Sequence, residues 1–297
     1  MQRSYPAWDT RAMSFTVGVA QFTPKKADID ANLDKIAKFA LAAATEGAEL
    51  VVFPETATSG YFLEGGVLEA ALTPAELLSR LDSRLHSLDR PLDLLVGFYE
   101  KSGGNLYNSA TYLQVGQFPR VIHTYRKFFL PTYGVFDEER FVSRGHELGV
   151  FDTRLGKMAI LICEDVWHSV LSALCAVAGA QVILIPSASP ARGFEESTIG
   201  NLDRYHRMLR AVSDEHGVYC INSQLCGFEG GKGFVGGSSV INPFGQKIAE
   251  APILEDHLAL CQIDPELIEI ARAQLPLTSD LQAAWGDISR IVTKLER

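Results

Sequence analysis

Apolar runs rich in Val, Ile and Leu alternate with segments of helical periodicity through much of the chain. This alternation is typical of strands that are covered by helices. In the first half it predicts strands over 15–22, 50–53 and 92–99 and a helix over 73–88. Another helix begins behind Asp28 or Asp30 as a cap and ends at Gly47. Two strands between Asn108 and Phe129 flank the turn-like residues 116–119, which predicts antiparallel pairing there.

The second half repeats the alternation of strands and helices. The pattern predicts a strand that ends at Cys163, a helix to Ala178, and then strand 182–186, helix 202–215 and strand 218–222. No helix separates the apolar runs 238–241 and 258–263, so we expect a hairpin-like pair around Pro243-Phe244-Gly245. The tail is predicted to be helical in pieces that are broken at Pro276. Mixed parallel and antiparallel pairing indicates a layered α/β sandwich rather than a barrel.

Composition indicates a globular protein with a small-molecule ligand. The chain has 297 residues, of which 47% are hydrophobic and 21% are charged, and no linker or repeat divides it. A single α/β domain behind an extension over residues 1–14 is the simplest interpretation. The formal net charge of −9 argues against a nucleic-acid partner, because no basic stripe offsets phosphate repulsion. The longest apolar stretch, 170–188, is divided by Gly179 and Gln181 and is therefore expected in the core rather than in a membrane.

Cysteine and histidine usage narrows the compartment and the chemistry. Five cysteines form an odd and sparse set, which fits free thiols in a reducing compartment, so cytoplasm is the expected location. The N-terminus lacks the apolar core of a secretory signal. None of the seven histidines forms a His-x-His or His-Glu-x-x-His pair, so no metal site is expected.

Three residues with chemical potential stand where predicted strands end. Cys163 closes the apolar run 157–162, Glu55 follows strand 50–53 and Pro54, and Lys127 follows strand 121–126. A thiol at a strand-to-helix turn is exposed beside the first free N–H groups of the helix, which can face a developing oxyanion. Taken singly, these residues read as a small buried hydrophobe, a turn carboxylate and a surface lysine. Because strand tips gather at one edge of a sheet, the three together predict a site.

In this order the three segments, with Gly236-Gly237-Ser238-Ser239 and Pro243-Phe244-Gly245, resemble the nitrilase superfamily of carbon–nitrogen hydrolases. The resemblance implies a four-layer αββα sandwich, with the hydrolase domain over 15–264 and a helical tail over 265–297. Residues 127–138 and 163–167 are most similar to the glutaminase domain of glutamine-dependent NAD synthetase. Family members usually pair into dimers, so a homodimer or higher homo-oligomer is expected.

The resemblance also implies a role for each matching residue. Cys163 would form a thioester with the substrate, Glu55 would act as general base, and Lys127 would stabilise the oxyanion together with a backbone N–H just after Cys163. Glu138 corresponds to the second glutamate of the family, and Glu139 is the adjacent alternative. The positions expected to contact substrate are Tyr133, Glu164, Ser187, Ser189 and Arg192.

These expectations describe a cofactor-independent amidase that acts on a small amide. Glutaminase activity that supplies ammonia to a separate NAD synthetase, nitrilase or N-carbamoyl hydrolase activity, and an idle binding or scaffold subunit are alternatives. The segment 191–197 departs from the glutaminase pattern after Ser187-Ala188-Ser189-Pro190. A chain that ends at Arg297 is expected to carry no synthetase domain, so ammonia would be released or passed to another protein.

Two other motifs in the sequence have less support. A Cys163/His168 thiol hydrolase is disfavoured because five residues along a helix turn the two side chains away from each other. Residues 231–236 match Gly-x-Gly-x-x-Gly in letters, but they precede an apolar strand instead of opening a helix. A turn near the pocket is the preferred interpretation of this glycine-rich segment.

Overall fold

The computed structural model describes residues 14–195 and 198–295, so nearly all of the predicted extension over 1–14 lies outside the described residues. The strands in chain order are β1 (Phe15–Gln21), β2 (Leu50–Val52), β3 (Leu92–Ser102), β4 (Asn105–Val115), β5 (Arg120–Arg126), β6 (Val150–Thr153), β7 (Gly156–Ile160), β8 (Val182–Ser187), β9 (Phe194–Glu195), β10 (Thr198–Ile199), β11 (Tyr219–Gln224), β12 (Cys226–Glu229), β13 (Lys232–Val235), β14 (Ser239–Ile241), β15 (Lys247–Glu250) and β16 (His257–Ile263). The α-helices are α1 (Ile29–Thr45), α2 (Val67–Ala70), α3 (Pro74–Arg84), α4 (Ser169–Val177), α5 (Gly200–His216), α6 (Glu266–Gln274) and α7 (Leu277–Leu295).

Two six-stranded sheets form the centre of the molecule. Their strand orders are β16-β1-β2-β3-β4-β5 and β15-β14-β11-β8-β7-β6. In each sheet three neighbouring strands are parallel, β1-β2-β3 in one and β7-β8-β11 in the other, and the remaining pairs are antiparallel. The predicted mixture of parallel and antiparallel pairing is therefore confirmed.

Three apolar cores show how the layers are stacked. One core lies between the sheets and includes Leu50 and Val52 from β2 with Leu184 from β8. The side chain between the first two, Val51, points the other way and packs in the core beneath α1 and α3. The third core joins α4 and α5 to the second sheet, for example through Ile183. Because successive side chains of a strand face opposite sides of the sheet, a strand that is buried on both faces has a continuous apolar sequence. The two sheets between two layers of helices confirm the predicted αββα sandwich.

Helix α1 illustrates how local sequence sets an element. The Asp28 side chain accepts a hydrogen bond from the Ala31 N–H at 3.2 Å, which caps the N-terminus. At the other end Gly47 adopts a φ of 86°, a left-handed conformation that glycine reaches without a Cβ penalty. Of the two caps considered from the sequence, Asp28 is the one that the structure uses.

The predicted hairpin between 238–241 and 258–263 is wrong. β14 pairs with β15, which the apolar pattern missed because this short edge strand carries the charged residues Lys247 and Glu250. The turn over 243–245 is correct, and the Asn242 side chain fixes it by accepting the Phe244 N–H. β16 crosses to the other sheet and pairs antiparallel with β1.

The C-terminal tail agrees with its prediction, because α6 and α7 are separated at Pro276. Residues 170–188, the longest apolar stretch, do not form one continuous helix. They contain most of α4 and then β8, which lies within the second sheet. Among the helices of the described residues, none combines the length and the apolarity that a bilayer crossing requires.

Candidate active site

Lys127 lies at the centre of a buried cluster of charges. Its Nζ donates hydrogen bonds of 2.7 Å to Oε1 of Glu55 and of 2.7 Å to Oε1 of Glu138. The side chains of Lys127 and Glu55 are both fully buried. β2 and β5 run in the same direction, so Glu55 and Lys127, which follow them, meet at one edge of the sheet. Glu138 reaches the cluster from a short 3₁₀ turn, whereas Glu139 is exposed.

Further buried groups hold the two carboxylates. Asn108 Nδ2 donates to Glu55 Oε1 at 2.7 Å, and the Ala188 N–H donates to Glu55 Oε2 at 2.8 Å. The Tyr61 hydroxyl donates to Glu138 Oε1. Sequence reasoning missed Asn108 and Tyr61 as site residues. A polar side chain inside the buried strand β4 was the available signal for Asn108, because such a group needs a partner.

The charges of the cluster constrain its protonation. Burial raises the pKa of Glu138 to about 7, and the Glu55 carboxylate pushes it in the same direction, against Lys127. For Lys127, burial disfavours the charged form, but the Glu138 and Glu55 carboxylates outweigh it and hold the pKa of the ammonium well above its ordinary value. Lys127 therefore stays positively charged at neutral pH.

Cys163 lies at a sharp turn between the second sheet and a 3₁₀ helix over Cys163–Trp167. Its φ of 48° is in the left-handed region, where a non-glycine residue carries backbone strain of about 1–3 kcal/mol that is common at functional sites. The side chain is buried with 7% of the residue exposed. Burial raises the pKa of the thiol well above its ordinary value, Glu55 adds to the rise, and Lys127 opposes it. The thiol is therefore protonated at rest and needs a base.

Asp165 connects the cysteine turn to the lysine segment, and sequence reasoning assigned it no role. Its Oδ1 accepts the N–H groups of Phe128 at 3.1 Å and Phe129 at 2.8 Å, directly after Lys127. Its Oδ2 accepts the Ile162 N–H at 3.0 Å, directly before Cys163, and the Tyr125 hydroxyl at 2.9 Å. Burial raises the pKa of this carboxyl to about 6 despite these donors. One buried carboxylate thus fixes the two segments relative to each other.

The expected substrate contacts fall into two groups. Tyr133, Glu164 and Arg192 line an open cavity of about 670 Å³, in which the Tyr133 hydroxyl donates to Glu164 Oε2 at 2.8 Å. Ser187 and Ser189 are buried and are absent from that lining.

The two serines are held by neighbours within the protein. Ser187 Oγ lies 3.0 Å from the Tyr205 hydroxyl, which also donates to the Cys163 carbonyl at 3.0 Å. Ser189 Oγ accepts a hydrogen bond from Asn201 Nδ2. Ser189 is thus bonded to Asn201, a residue that lines the open cavity.

His168 and the glycine-rich segment 231–236, which belong to the two rival motifs, make other contacts in the structure. The His168 ring stacks on Phe129 at 3.7 Å between centroids, and its Nε2 lies 3.7 Å from Glu164 Oε1. The glycine-rich segment 231–236 contains the turn and second strand of the β12–β13 hairpin instead of the start of a helix. In the part of the chain that the structure describes, no group of three or more His, Cys, Asp or Glu side chains is arranged to hold a metal ion.

Comparison with known proteins identifies the family of the chain. Residues 16–273 match the family model for carbon-nitrogen hydrolases. The glutamine-dependent NAD(+) synthetase of Acinetobacter baylyi is 29% identical over 85% of this chain and 45% of its own length. That of Thermotoga maritima is 30% identical over 84% of this chain and 42% of its own length. The chain thus spans less than half the length of these two curated relatives.

Solved structures give the same result for the fold. Nit3 of Saccharomyces cerevisiae, a nitrilase superfamily member, aligns with a TM-score of 0.76 at 24% identity, over 90% of this chain and 96% of that one. An amidase from Nesterenkonia sp. aligns with a TM-score of 0.69 at 27% identity, over 89% of this chain and 96% of that one. From the family match and this shared architecture we conclude that the chain belongs to the carbon–nitrogen hydrolase family of the nitrilase superfamily.

Proposed function

We propose that this carbon–nitrogen hydrolase is an amidase that cleaves a small amide through a thioester on Cys163. The observation that carries the proposal is the fully buried Lys127 ammonium, which bridges Glu55 and Glu138 and whose segment Asp165 ties to the Cys163 turn. Burying three ionisable side chains together costs free energy of desolvation. Such buried ionisable groups are concentrated at functional sites. A nucleophile, a base and a fixed cation are the groups that amide cleavage needs.

Acylation begins at the protonated thiol. Glu55 takes the proton as the sulfur of Cys163 attacks the amide carbonyl carbon, and a C–S bond forms. The Lys127 ammonium stabilises the negative charge that develops on the carbonyl oxygen. The C–N bond then breaks, and Glu55 returns its proton to the departing nitrogen, which leaves as ammonia or an amine.

Deacylation uses the same groups in the second half of the cycle. Glu55, now ionised, takes a proton from a water molecule as the water oxygen attacks the thioester carbonyl. The C–S bond breaks, the carboxylic acid is released, and the sulfur regains a proton from Glu55. Each proton is therefore accounted for by one carboxylate, whose orientation Asn108 and the Ala188 N–H maintain.

Glutamine is a second candidate substrate, favoured by the composition of the open cavity. Glu164 and Arg192 both line it, and they match the ammonium and carboxylate of a free amino acid. The relatives named as glutamine-dependent NAD(+) synthetases favour the same substrate, with the ammonia passing to a synthetase. Nitrilase and N-carbamoyl hydrolase activities would use the same triad. Assays with a nitrile and an N-carbamoyl compound distinguish them from hydrolysis of a small amide or of glutamine.

Ammonia release and a trapped intermediate test the proposal. The protein is incubated with glutamine, acetamide, butyramide, an aliphatic nitrile and an N-carbamoyl amino acid, and Cys163 is examined by mass spectrometry after acid quenching. We expect ammonia from at least one amide and an acyl adduct on Cys163. Cys163→Ala should abolish both, whereas Cys261→Ala, at a partly exposed thiol, should keep both. No turnover and no adduct across the panel would instead indicate a binding or scaffold subunit.

Assembly and location are part of the proposal. We expect a homodimer or higher homo-oligomer in the cytoplasm, as the resemblance and the free cysteines suggest. Sedimentation velocity of the purified protein at micromolar concentration measures the assembly. A single species at the monomer mass, 32.5 kDa, would contradict the expectation.

A further inference from the structure

The β12–β13 hairpin forms a two-stranded sheet of its own, and it packs against the loop over residues 53–63 that follows β2. The Phe234 ring stacks on Phe62 at 5.5 Å between centroids and meets the Tyr61 ring edge-on at 6.1 Å. On the same hairpin, the Lys232 ammonium lies 4.2 Å from the centre of the Phe62 ring. The hairpin is therefore in direct contact with the loop that leads from β2 into the charged cluster.

One hairpin side chain, that of Glu229, holds the backbone of this loop. Its Oε2 accepts the N–H of Tyr61 at 2.8 Å and the N–H of Phe62 at 2.9 Å. The residue is only 4% exposed. The loop closes tightly around the carboxyl group, since a Cβ at Gly60 would lie 2.7 Å from Glu229 Oε1. Without Glu229, two buried N–H groups would lack their acceptor, and the loop would have to move to pair them.

Tyr61 carries the position of the loop into the charged cluster. Its hydroxyl donates to Glu138 Oε1, the oxygen that also accepts from Lys127. The centre of its ring lies 5.8 Å from Lys127 Nζ, a distance at which an aromatic face attracts an ammonium. The Tyr61 carbonyl accepts the Tyr99 hydroxyl at 2.7 Å. Both backbone groups of Tyr61 are thus held, and the N–H is held by Glu229.

These contacts form a continuous chain from the hairpin to the ammonium that would stabilise the oxyanion. We propose that Glu229 is a positioning residue of the amidase reaction, which sets the place of the Tyr61 hydroxyl and ring and, through them, the position of Lys127. The inference rests on the proposed amidase function and adds to it a residue that acts through Tyr61 rather than on the substrate. The hairpin is then part of the catalytic framework, and its glycine-rich turn serves to place Glu229.

Displacing Tyr61 changes the protonation of the cluster as well as its geometry. The pKa of Glu138 is about 7 because burial raises it, whereas Lys127 and the Tyr61 hydroxyl lower it. Without the hydroxyl this pKa rises, so Glu138 is protonated over a wider range of pH and binds the Lys127 ammonium less tightly there. As the pH is lowered, the activity of a variant that displaces Tyr61 should therefore begin to fall at a higher pH than that of the wild type.

A double-mutant cycle tests whether Glu229 acts through Tyr61. The values of kcat and KM are measured from pH 5.5 to 9 for the wild type, Glu229→Ala, Tyr61→Phe and the double variant, on the amide that the wild type hydrolyses fastest. We expect each single substitution to lower kcat by about 10-fold or more, to change KM by less than about 3-fold, and to move the acidic limb of the kcat profile upward by about 0.5 pH unit or more. The double variant should be within about 3-fold of the slower single variant, because both substitutions remove the same contact.

Two further hairpin variants are matched controls. Phe228→Ala removes a neighbouring side chain that is 73% exposed and should leave kcat near that of the wild type. Glu229→Gln keeps an oxygen that can accept both N–H groups and should retain kcat within about 5-fold of the wild type. Amide hydrogen exchange in peptides from the 53–63 loop should be faster in Glu229→Ala and near the wild-type rate in both controls. If circular dichroism shows that Glu229→Ala is unfolded, Glu229→Asp, which withdraws the carboxyl by one methylene, replaces it in the cycle.

The outcomes separate the positioning role from the enzyme. If Glu229→Ala keeps the wild-type kcat, or if the two single losses multiply in the double variant, Glu229 does not act through Tyr61 and the inference fails while the amidase stands. A lower kcat with an unshifted acidic limb would also overturn it, because general loosening of the fold would explain that result. If the wild type hydrolyses no amide in the panel, the proposed function is refuted and the catalytic role of Glu229 falls with it. Hydrogen exchange then decides separately whether Glu229 holds the loop.

Discussion

Replacing Lys127 with methionine tests whether one ammonium holds two buried carboxylates together. Its Nζ lies 2.7 Å from an oxygen of Glu55 and 2.7 Å from an oxygen of Glu138. Lys127→Met keeps most of the side-chain volume but leaves two buried carboxylates, which share Asn108 Nδ2 as a donor, without a counter-charge. Removing one partner of a buried ion pair costs about 3–5 kcal/mol, which is a large part of the 5–15 kcal/mol that stabilises a typical domain.

The sign of the pH dependence follows from Glu138. Its folded-state pKa, about 7, already lies above the ordinary value of 4.5, and Lys127 lowers it, so removing Lys127 raises it further. A carboxyl whose pKa is raised on folding stabilises the protein most when protonated, and this contribution is lost as the pH rises towards the folded-state pKa. In the wild type the loss ends near pH 7. In the variant it continues above pH 7, by at most about 1.4 kcal/mol per pH unit for one proton.

Urea unfolding followed by circular dichroism at pH 6, 7.5 and 9 measures the effect. We expect Lys127→Met to be less stable than the wild type, with a deficit that is larger at pH 9 than at pH 6. Lys157→Met is the control, since Lys157 lies 3.9 Å from Asp152 at an exposed site and should contribute under about 1 kcal/mol. Equal losses in the two variants, or a Lys127→Met deficit that is the same at pH 6 and pH 9, would refute the reasoning. Turnover by Lys127→Met should also fall about 10²–10³-fold.

Three further substitutions test how the site is held. Glu55→Gln should keep the fold by circular dichroism and lower amide turnover by about 10²–10⁴-fold, because it removes the general base; near-normal rates would contradict that role. Asp165→Asn should lower both turnover and the melting temperature, since an amide cannot accept all four hydrogen bonds of the carboxylate; an unchanged melting temperature would argue against the connection. Gly97→Ala would bring a Cβ to 2.7 Å from the Cα of Glu55 and should reduce turnover. Gly65→Ala, whose Cβ would have nothing within 4 Å, is the control and should leave turnover of a primary amide unchanged. Equal effects of the two substitutions would show that close packing at Gly97 is unimportant.

Local sequence was sufficient for most elements of the fold. A helix cap at Asp28 or Asp30, the strands buried on both faces and the break at Pro276 were predicted because each depends on residues that are neighbours in the chain. The pairing partner of β16 was not predictable in this way. Its choice between two sheets is decided by contacts with β1, more than 200 residues away.

The residues of the candidate site also fall into those that local sequence predicted and those that it did not. Glu55, Lys127 and Cys163 could be singled out because each follows an apolar strand, and strand ends share an edge. Their catalytic roles stay predictions until the variants are measured. Asn108 carries only the weaker signal of a polar residue in a buried strand, and Tyr61 and Asp165 carry none, because the importance of each comes from a partner distant in the chain.

The sequence by itself determined the alternation of strands and helices, the family and the three strand-end residues, because periodicity and short motifs are local properties. Only the tertiary structure decided that Glu138 rather than Glu139 joins Lys127. It also brought Tyr133, Glu164 and Arg192 together around one cavity and placed Glu138 in the lining of another. Hydrogen bonds and Coulomb forces act over a few ångströms in space whatever the separation along the chain, so they become visible only once the chain is folded.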